Sequence, residues 1–266
     1  PGRWKTEGEA EIFNTLLRQF LYPEIREFSR RALVSLAQQR GKTRHIAFTI
    51  HGTGYGLDET EAFESELAGI VDAVTDGTFP HSIESIAFVE SDSGRVERLS
   101  RSLMKLFPTG NIAINGKSSI SSLTVESQDT LRTAGYSAAG KPHVFVAMPF
   151  SAEMDDIYHY GIQGAVNASG LLCERSDLSA FTGDVMEWVK ARISSAKLVV
   201  ADLSSANPNV YLEVGYAWGC RVPTVLLVKD AQDLKFDIKG QRCLVYNTIK
   251  NLEESLRHEL QMLAGC

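Results

Sequence analysis

The sequence predicts an α/β protein of two domains, each a mainly parallel sheet flanked by helices. Three observations lead to this fold class. Short apolar runs of strand length alternate with longer stretches of helical periodicity in both halves of the chain. A glycine- and serine-rich stretch between Pro108 and Pro142 interrupts that alternation. The 266 residues are 44% hydrophobic and 23% charged, a composition that is typical of globular domains whose cores need no disulfide or metal.

The N-terminal half begins with helical periodicity. Apolar residues recur at three- and four-residue steps from Glu9 to Gln39, and Pro23 interrupts them, which predicts two consecutive helices. A strand over His45–Ile50 and a glycine loop follow. Asp58, with Glu61 three residues later, fits the N-cap of the next helix. The remaining predictions for this half are a helix over Asp58–Val74, a strand over Ser85–Glu90 and a helix over Gly94–Phe107.

The strand and helix alternation resumes after the glycine- and serine-rich stretch and predicts a doubly wound parallel sheet. The predicted strands are Val144–Met148, Leu171–Glu174, Lys197–Ala201 and Thr224–Val228. The predicted helices are Asp155–Ser169, Asp184–Ser195, Asn209–Gly219 and Leu252–Leu263. Within the third of these helices, Gly215 predicts close packing on the sheet.

The change in composition sets the domain boundaries. We predict a first domain over residues 1–115, a linker over residues 116–141 and a second domain over residues 142–266. The chain opens with Pro1 instead of Met and lacks the apolar stretch of a secretory signal. We therefore expect a trimmed fragment whose own start lies upstream.

Charge and cysteine content argue against several classes of function. A net charge of -6 argues against binding to duplex nucleic acid or to an anionic membrane. No apolar run approaches the roughly 18 residues of a membrane helix. The four cysteines have neither CxxC spacing nor a histidine at zinc spacing, so that we expect no metal and a reducing, cytoplasmic environment. A small polar ligand fits this composition better, and we also expect a homo-oligomer.

In open parallel sheets the ligand crevice lies beyond the carboxyl ends of the strands. Three loops of the C-terminal half would open on that rim, after Met148, after Glu174 and after Asp202. The chemistry-bearing residues of these loops are therefore the candidates for a site.

The helix after the third of these loops has a readable start. Asn207 is a favoured N-cap, and Pro208 at the first helical position loses no hydrogen bond. Asn209 and Glu213 lie four residues apart on one face, with Tyr216 beside them. A glutamate one turn inside a helix that starts at the crevice is well placed to meet a sugar. The alternative is that Glu213 is solvated and that Asn207-Pro-Asn209 serves only as a helix cap.

Three segments within about Lys141 to Tyr246 carry a family resemblance: Val144-Phe-Val-Ala-Met-Pro-Phe150, Ala201-Asp-Leu-Ser-Ser-Ala-Asn-Pro-Asn-Val-Tyr-Leu-Glu-Val-Gly-Tyr-Ala217 and Pro223-Thr-Val-Leu-Leu227. They resemble the nucleoside 2-deoxyribosyltransferase-like group, a relative of the bacterial Toll/interleukin-receptor NAD-cleaving domains. The resemblance implies a flavodoxin- or deoxyribosyltransferase-like fold. It also implies that Glu213 attacks the anomeric carbon of an N-glycoside and that Asp202 holds the base or sugar.

A carboxylate suits the cleavage of a C1′–N bond, because the bond breaks through an oxocarbenium-like state that a carboxylate can stabilise or capture. Asp177 or Asp184 is a candidate acid for the departing base, and each has a loop or capping role as its alternative. True deoxyribosyltransferases carry Gly-Thr where this chain has Asn209-Val210, which leaves NAD, nucleosides and nucleotides as alternative substrates. The predicted substrate contacts are Met148, Phe150, Asp177, Asn209 and Tyr216.

The loop Gly52-Thr-Gly-Tyr-Gly56 lies between a strand and a helix, where backbone N–H groups can cradle a phosphate. Leu57 stands where a dinucleotide fingerprint needs its third glycine. The segment His45–Val74 resembles instead the diphosphate-binding loop and following helix of a macro domain. This resemblance implies a macro-like nucleotide-binding domain over residues 1–115, with Gly52, Thr53, Gly54, Tyr55 and Gly56 as ligand contacts. A tight turn without a ligand is the alternative.

Together, the resemblances imply an N-glycosidase that cleaves the base–ribose bond of NAD or a nucleotide and acts as a nucleotide-regulated bacterial antiviral defence effector. They imply a small nucleotide ligand and no cofactor beyond a nucleotide as substrate or ligand. The alternative is a non-catalytic nucleotide-binding sensor or signalling module, in which Glu213 contacts a ribose hydroxyl.

Overall fold

The computed structural model describes residues 20–39, 43–108, 123–175, 185–230, 232, 241 and 243–264. The chain divides into two compact units, the first formed by Pro1–Thr53 and Asp58–Gly140 and the second by Gly54–Leu57 and Lys141–Cys266. Each unit contains a parallel sheet with helices around it, which confirms the predicted fold class.

The first unit contains a two-stranded parallel sheet and four helices among its described residues. The sheet pairs Phe48 with Phe88 in register. The predicted elements of this half are confirmed within one or two residues, except that the first of the two N-terminal helices lies outside the described residues. In chain order the elements are α1 (Tyr22–Gln38), β1 (His45–Thr49), α2 (Glu59–Thr75), β2 (Ser85–Val89), α3 (Ser93–Leu106) and α4 (Val125–Thr133).

Local signals set the start of α2, and close packing sets its place. The Asp58 carboxylate accepts hydrogen bonds from the backbone N–H groups of Thr60 and Glu61 at 3.0 and 3.1 Å, so the predicted N-cap is confirmed. Farther along α2, a Cβ at Gly69 would lie 2.0 Å from the Arg26 carbonyl oxygen of α1. Only glycine permits this approach of the two helices.

The structure differs from the predicted linker over residues 116–141. Residues 116–122 of it lie outside the described residues, whereas residues 123–140 belong to the first unit and contain α4. Leu131 and Ala134 are buried in one hydrophobic cluster with Phe63 and Leu67 of α2. The sequence pattern is weak here because a nine-residue helix turns only Leu131 and Ser127 towards the core.

The second unit is built on a five-stranded parallel sheet in the order β4-β3-β5-β6-β7. Counted within the unit, this is the order 2-1-3-4-5 of flavodoxin-like sheets. The four predicted strands are confirmed, and β7 is an additional short strand. The elements are β3 (His143–Ala147), α5 (Ala152–Asp156), a π-helical segment (Ile157–Gln163), α6 (Gly164–Ala168), β4 (Leu172–Glu174), α7 (Val185–Ser195), β5 (Leu198–Asp202), α8 (Pro208–Gly219), β6 (Thr224–Val228), β7 (Cys243–Val245) and α9 (Ile249–Ala264).

Alternate residues of each strand enter hydrophobic clusters on opposite faces of this sheet. Val144 and Val146 pack with α9 and the π-helical segment, whereas Phe145 packs with α7 and α8. The strand order reverses at β3, so that the loops after β3 and β5 open on a crevice at their carboxyl ends. The expected close packing at Gly215 is wrong: this residue is exposed, and a Cβ there would meet nothing within 4 Å.

Candidate active site

A cavity lies at this topological switch point. It contains about 330 Å³ of empty space, part of it open to solvent. The loop after β3 and the first turns of α8 form its walls, and both are held on the same sheet. The lining residues are Val146, Met148, Pro149, Phe150, Asn207, Asn209, Val210 and Glu213. The structure thus brings together four residues of the predicted site, namely Met148, Phe150, Asn209 and Glu213.

The start of α8 delivers two of these side chains to the cavity. The Asn207 side chain accepts a hydrogen bond from the Asn209 backbone N–H at 2.9 Å, and Pro208 follows the cap, as predicted. The preceding residue, Ala206, has φ 49°, a left-handed conformation that costs a non-glycine residue about 1 kcal/mol. The strained turn and the cap together fix where α8 enters the rim.

Glu213 is the acidic side chain of this cavity. Burial raises the pKa of its carboxyl from 4.5 to about 7. Among the residues that the structure describes, no side chain forms an ion pair with Glu213 and no donor is bonded to it. A half-buried carboxyl group is available to a ligand where no donor among the described residues competes for its oxygens.

Asp202 lies at the same end of the sheet but does not line the cavity. Its side chain is fully buried, and its carboxylate accepts hydrogen bonds from the Tyr246 hydroxyl at 2.6 Å and from the Ser204 backbone N–H at 2.9 Å. Burial and the Asp202 carboxylate raise the pKa of Tyr246. The Ser204 hydroxyl in turn accepts from the Lys229 backbone N–H at 3.0 Å. Both Asp202 oxygens therefore hold the ends of β5, β6 and β7 together.

Tyr216, another predicted substrate contact, does not line the cavity. It packs on the cluster between the sheet and α7, and the Cys220 side chain one turn later raises its pKa. Asp177 lies outside the described residues, as does the alternative acid Asp184.

Arg175 lies beside the cavity and is not among the predicted site residues. Its guanidinium carbon lies 4.4 Å from the ring centre of Phe150 and 4.1 Å from that of Tyr158. One of its amino groups donates to the sulfur of Met148 at 3.7 Å. Its position after β4 was the available signal, since residues that follow parallel strands face the crevice. The neighbouring Glu174 is instead fully buried and paired with Arg192 of α7.

The predicted phosphate loop has the backbone geometry of a tight turn. Gly52 and Gly56 each have φ 85°, a left-handed conformation that favours glycine. Between them Thr53–Tyr55 form one 3₁₀ turn, and a Cβ at Gly54 would meet nothing within 4 Å. The turn accounts for Gly52 and Gly56, whereas Gly54 is not required by it. A ligand-binding role for these five residues stays a prediction.

Among the described residues, no group of three or more histidine, cysteine, aspartate or glutamate side chains is arranged to hold a metal ion. None of the helices there combines the length and the hydropathy of a membrane span.

The chain is similar to a solved structure of a CMP N-glycosidase from Clostridium botulinum. The sequence identity is 16% and the TM-score is 0.35, over 43% of this chain and 97% of that chain. No protein-family model and no curated protein sequence matches the chain.

Proposed function

We propose that the second unit is an N-glycosidase that cleaves the base–ribose bond of NAD or a nucleotide, with Glu213 as its catalytic residue. The observation that carries this proposal is the Glu213 carboxyl, which lies unpaired among the described residues in the crevice of a parallel sheet and whose pKa is raised to about 7 by burial. Strongly perturbed carboxyl groups in ligand crevices are typical of catalytic sites.

The residues of the cavity fit the steps of this reaction. The C1′–N bond breaks with its electron pair going to the base, and positive charge develops on the sugar ring. The Glu213 carboxylate either forms a bond to C1′ or stabilises the oxocarbenium ion. Water then attacks C1′ and displaces the Glu213 carboxylate where that bond was formed. The attacking water loses a proton to solvent and becomes the free sugar hydroxyl. A nicotinamide group departs as a neutral base, whereas a purine or pyrimidine gains from protonation by an acid or by water.

Burial makes Glu213 more effective in this role. A carboxylate that is poorly hydrated in the free protein loses little solvation when charge develops on the sugar, and the low local dielectric strengthens its attraction to the oxocarbenium ion. Asn209 lies one turn before Glu213 on the same wall, and in this proposal its side chain bonds a ribose hydroxyl. Phe150 offers an exposed ring at the rim for a base.

The family resemblance extends the proposal to the whole chain. In this proposal the N-terminal half of the chain binds a nucleotide through the Gly52–Gly56 loop and regulates the glycosidase. The protein then acts as a homo-oligomeric, cytoplasmic antiviral effector of a bacterium.

The test is base release by the full chain. Wild-type protein is incubated with NAD, ribonucleosides and ribonucleotides, with and without small nucleotide activators, and free base is quantified by chromatography. We expect release by wild type and a loss of several orders of magnitude in Glu213→Gln, which keeps the size of the side chain but lacks its charge. The matched control is Glu254→Gln on the exposed face of α9, which should release base at the wild-type rate.

The pH profile gives a second readout of the same role. Because the ionised carboxylate is the reactive form, kcat/KM should rise with pH through about 7. Equal base release by Glu213→Gln and wild type would exclude Glu213 as the catalytic residue. Nucleotide binding without any base release would favour the non-catalytic sensor.

A further inference from the structure

The guanidinium of Arg175 lies against two aromatic rings. Its carbon is 4.4 Å from the ring centre of Phe150 and 4.1 Å from that of Tyr158 in the π-helical segment. The side chain is only 13% exposed. A further partner would therefore bind Arg175 through the N–H donors at the edge of its guanidinium.

Among the described residues, that edge meets weaker acceptors than those that Arg26 and Arg192 bond. The donors of Arg175 meet the Met148 sulfur at 3.7 Å and Asp155 at 3.6 Å, and Asp155 is half exposed. In contrast, the buried Arg26 bonds both Asp72 oxygens at 2.7 and 2.8 Å and three backbone carbonyls. Arg192 likewise bonds the buried Glu174. A nearly buried cation with weak partners is expected to bind an anion strongly.

Arg175 adjoins the cavity of Glu213 through shared residues. Met148 and Phe150, which Arg175 contacts, are two of the residues that line that cavity. Burial accounts for the raised pKa of Glu213. If one ligand spans both groups, Glu213 meets its sugar and Arg175 an anionic group beyond the sugar.

We propose that Arg175 is a substrate-binding residue that selects phosphate-bearing nucleotides over neutral nucleosides, through its N–H donors at the edge of the cavity. The inference rests on the proposed function for the site of Glu213. It names the chemical class of the substrate, since guanidinium groups bind phosphate oxygens with two parallel hydrogen bonds. The rings of Phe150 and Tyr158 and the burial of Arg175 restrict its side chain, so that less side-chain entropy is lost when a phosphate binds.

The test separates binding from catalysis by measuring affinities in the Glu213→Gln background, in which no substrate is consumed. Calorimetry is carried out with the four ribonucleoside 5′-monophosphates and the four matching ribonucleosides. NAD and inorganic phosphate are further arms, which distinguish a diphosphate and a free phosphate from a nucleotide monophosphate. We expect at least one monophosphate or NAD to bind about 10- to 100-fold more tightly than its nucleoside, the range for a charged hydrogen-bonded contact.

Replacement of Arg175 decides whether this preference depends on it. Arg175→Gln should remove the preference while the affinity for nucleosides changes little, and Arg175→Lys should keep part of it. Arg257→Gln on α9, which breaks an ion pair with Glu253, is the matched control and should leave both affinities unchanged. The preference should also weaken as salt concentration rises.

Two results would overturn the inference. An equal loss of affinity for nucleotides and nucleosides in Arg175→Gln would show that Arg175 only supports the rim through Met148 and Phe150. If the nucleotide preference survives Arg175→Gln, another residue recognises the phosphate. If the Glu213→Gln background protein has no such preference, the site does not recognise phosphate. Failure of the proposed function is seen separately, as wild-type base release that does not depend on Glu213.

Discussion

At the scale of single residues, the raised pKa of Glu213 has a consequence for stability. The carboxyl has a pKa of 4.5 in the unfolded chain and about 7 in the folded protein. The folded state therefore holds the proton more tightly, and the stability of the wild-type protein falls as pH rises from about 4.5 through 7. The full shift corresponds to at most about 3 kcal/mol, and partial exposure of the side chain lowers that figure.

Glu213→Gln should therefore be more stable than wild type at pH 8, by about 1–3 kcal/mol. At that pH wild type must bury an ionised carboxylate, whereas the variant buries a neutral amide. The difference should narrow towards pH 5. Urea denaturation at the two pH values measures it, with Glu254→Gln as the exposed control. A difference of the same size at both pH values would show that burial of the charge is not its cause.

The environment of Asp202 points to a role in the fold. Its carboxylate has no exposed atom, and its hydrogen-bond partners come from the segments after β5 and β7. The resemblance predicts contact with base or sugar, yet the cavity walls are formed without this residue.

Asp202→Asn should lower the free energy of unfolding by about 1–3 kcal/mol, because charge-assisted hydrogen bonds to Tyr246 and Ser204 become neutral ones. Tyr246→Phe should cost about 1–2 kcal/mol, and the double variant less than the sum, since both changes remove the same bond. Urea denaturation measures these values, and calorimetry measures nucleotide affinity of the folded protein. A loss of affinity without a loss of stability would instead support substrate contact by Asp202.

At the scale of elements, two helical glycines have opposite surroundings. In α2, a Cβ at Gly69 would lie 2.0 Å from the Arg26 carbonyl oxygen and 2.2 Å from the Ser29 hydroxyl. That hydroxyl donates to the Glu66 carbonyl of α2 at 2.8 Å, a bond that depends on the close approach of the two helices. In α8, Gly215 faces open space.

Gly69→Ala should destabilise the first unit by about 1–3 kcal/mol or more, because α1 must move away from α2. The matched variant Gly215→Ala should stabilise by about 0.5–1 kcal/mol, since alanine restricts the unfolded chain and meets no neighbour. Urea denaturation of both variants against wild type makes the comparison. Similar stability for Gly69→Ala and wild type would contradict the close contact of α1 with α2.

At the scale of the whole molecule, the two units divide the chain after Gly140 and not at the predicted linker. The composition of residues 108–122 is rich in glycine and serine, whereas α4, which follows them, belongs to the first unit. The Arg26 side chain bonds the carbonyl oxygens of Leu131, Arg132 and Ala134 there. These bonds attach the end of α4 to α1.

Limited proteolysis of the full chain should cut first within residues 109–122, because their composition is rich in glycine and serine and small polar residues mark the segments that proteases prefer. Residues 125–134 should be protected, since their backbone is helical and bonded to Arg26. Mass spectrometry of the earliest fragments identifies the cut sites. First cuts inside α4 would show that it does not belong to the first unit, and first cuts between β3 and β6 would contradict the two-unit division.

The sequence by itself determined the class of the fold and most of its elements. Apolar runs such as β3, β5 and β6, and the caps at Asp58 and Asn207, are local features, and a local pattern is sufficient to predict them. The position of Glu213 one turn inside α8 followed from the same local rules. The short helix α4 and strand β7 escaped prediction because each buries too few residues to leave a periodic pattern.

Only the tertiary structure decided which acidic side chain enters the cavity and which cation lies beside it. In the sequence, Asp202 ends β5 and Glu213 lies in the helix that follows that strand. Asp202 bonds Tyr246, 44 residues away, whereas Glu213 has no bonded partner among the described residues. Arg175 meets Phe150 and Tyr158 across the sheet edge. Side-chain direction, burial and the pKa that follows from burial depend on partners distant in the chain, and local sequence patterns contain no information about them.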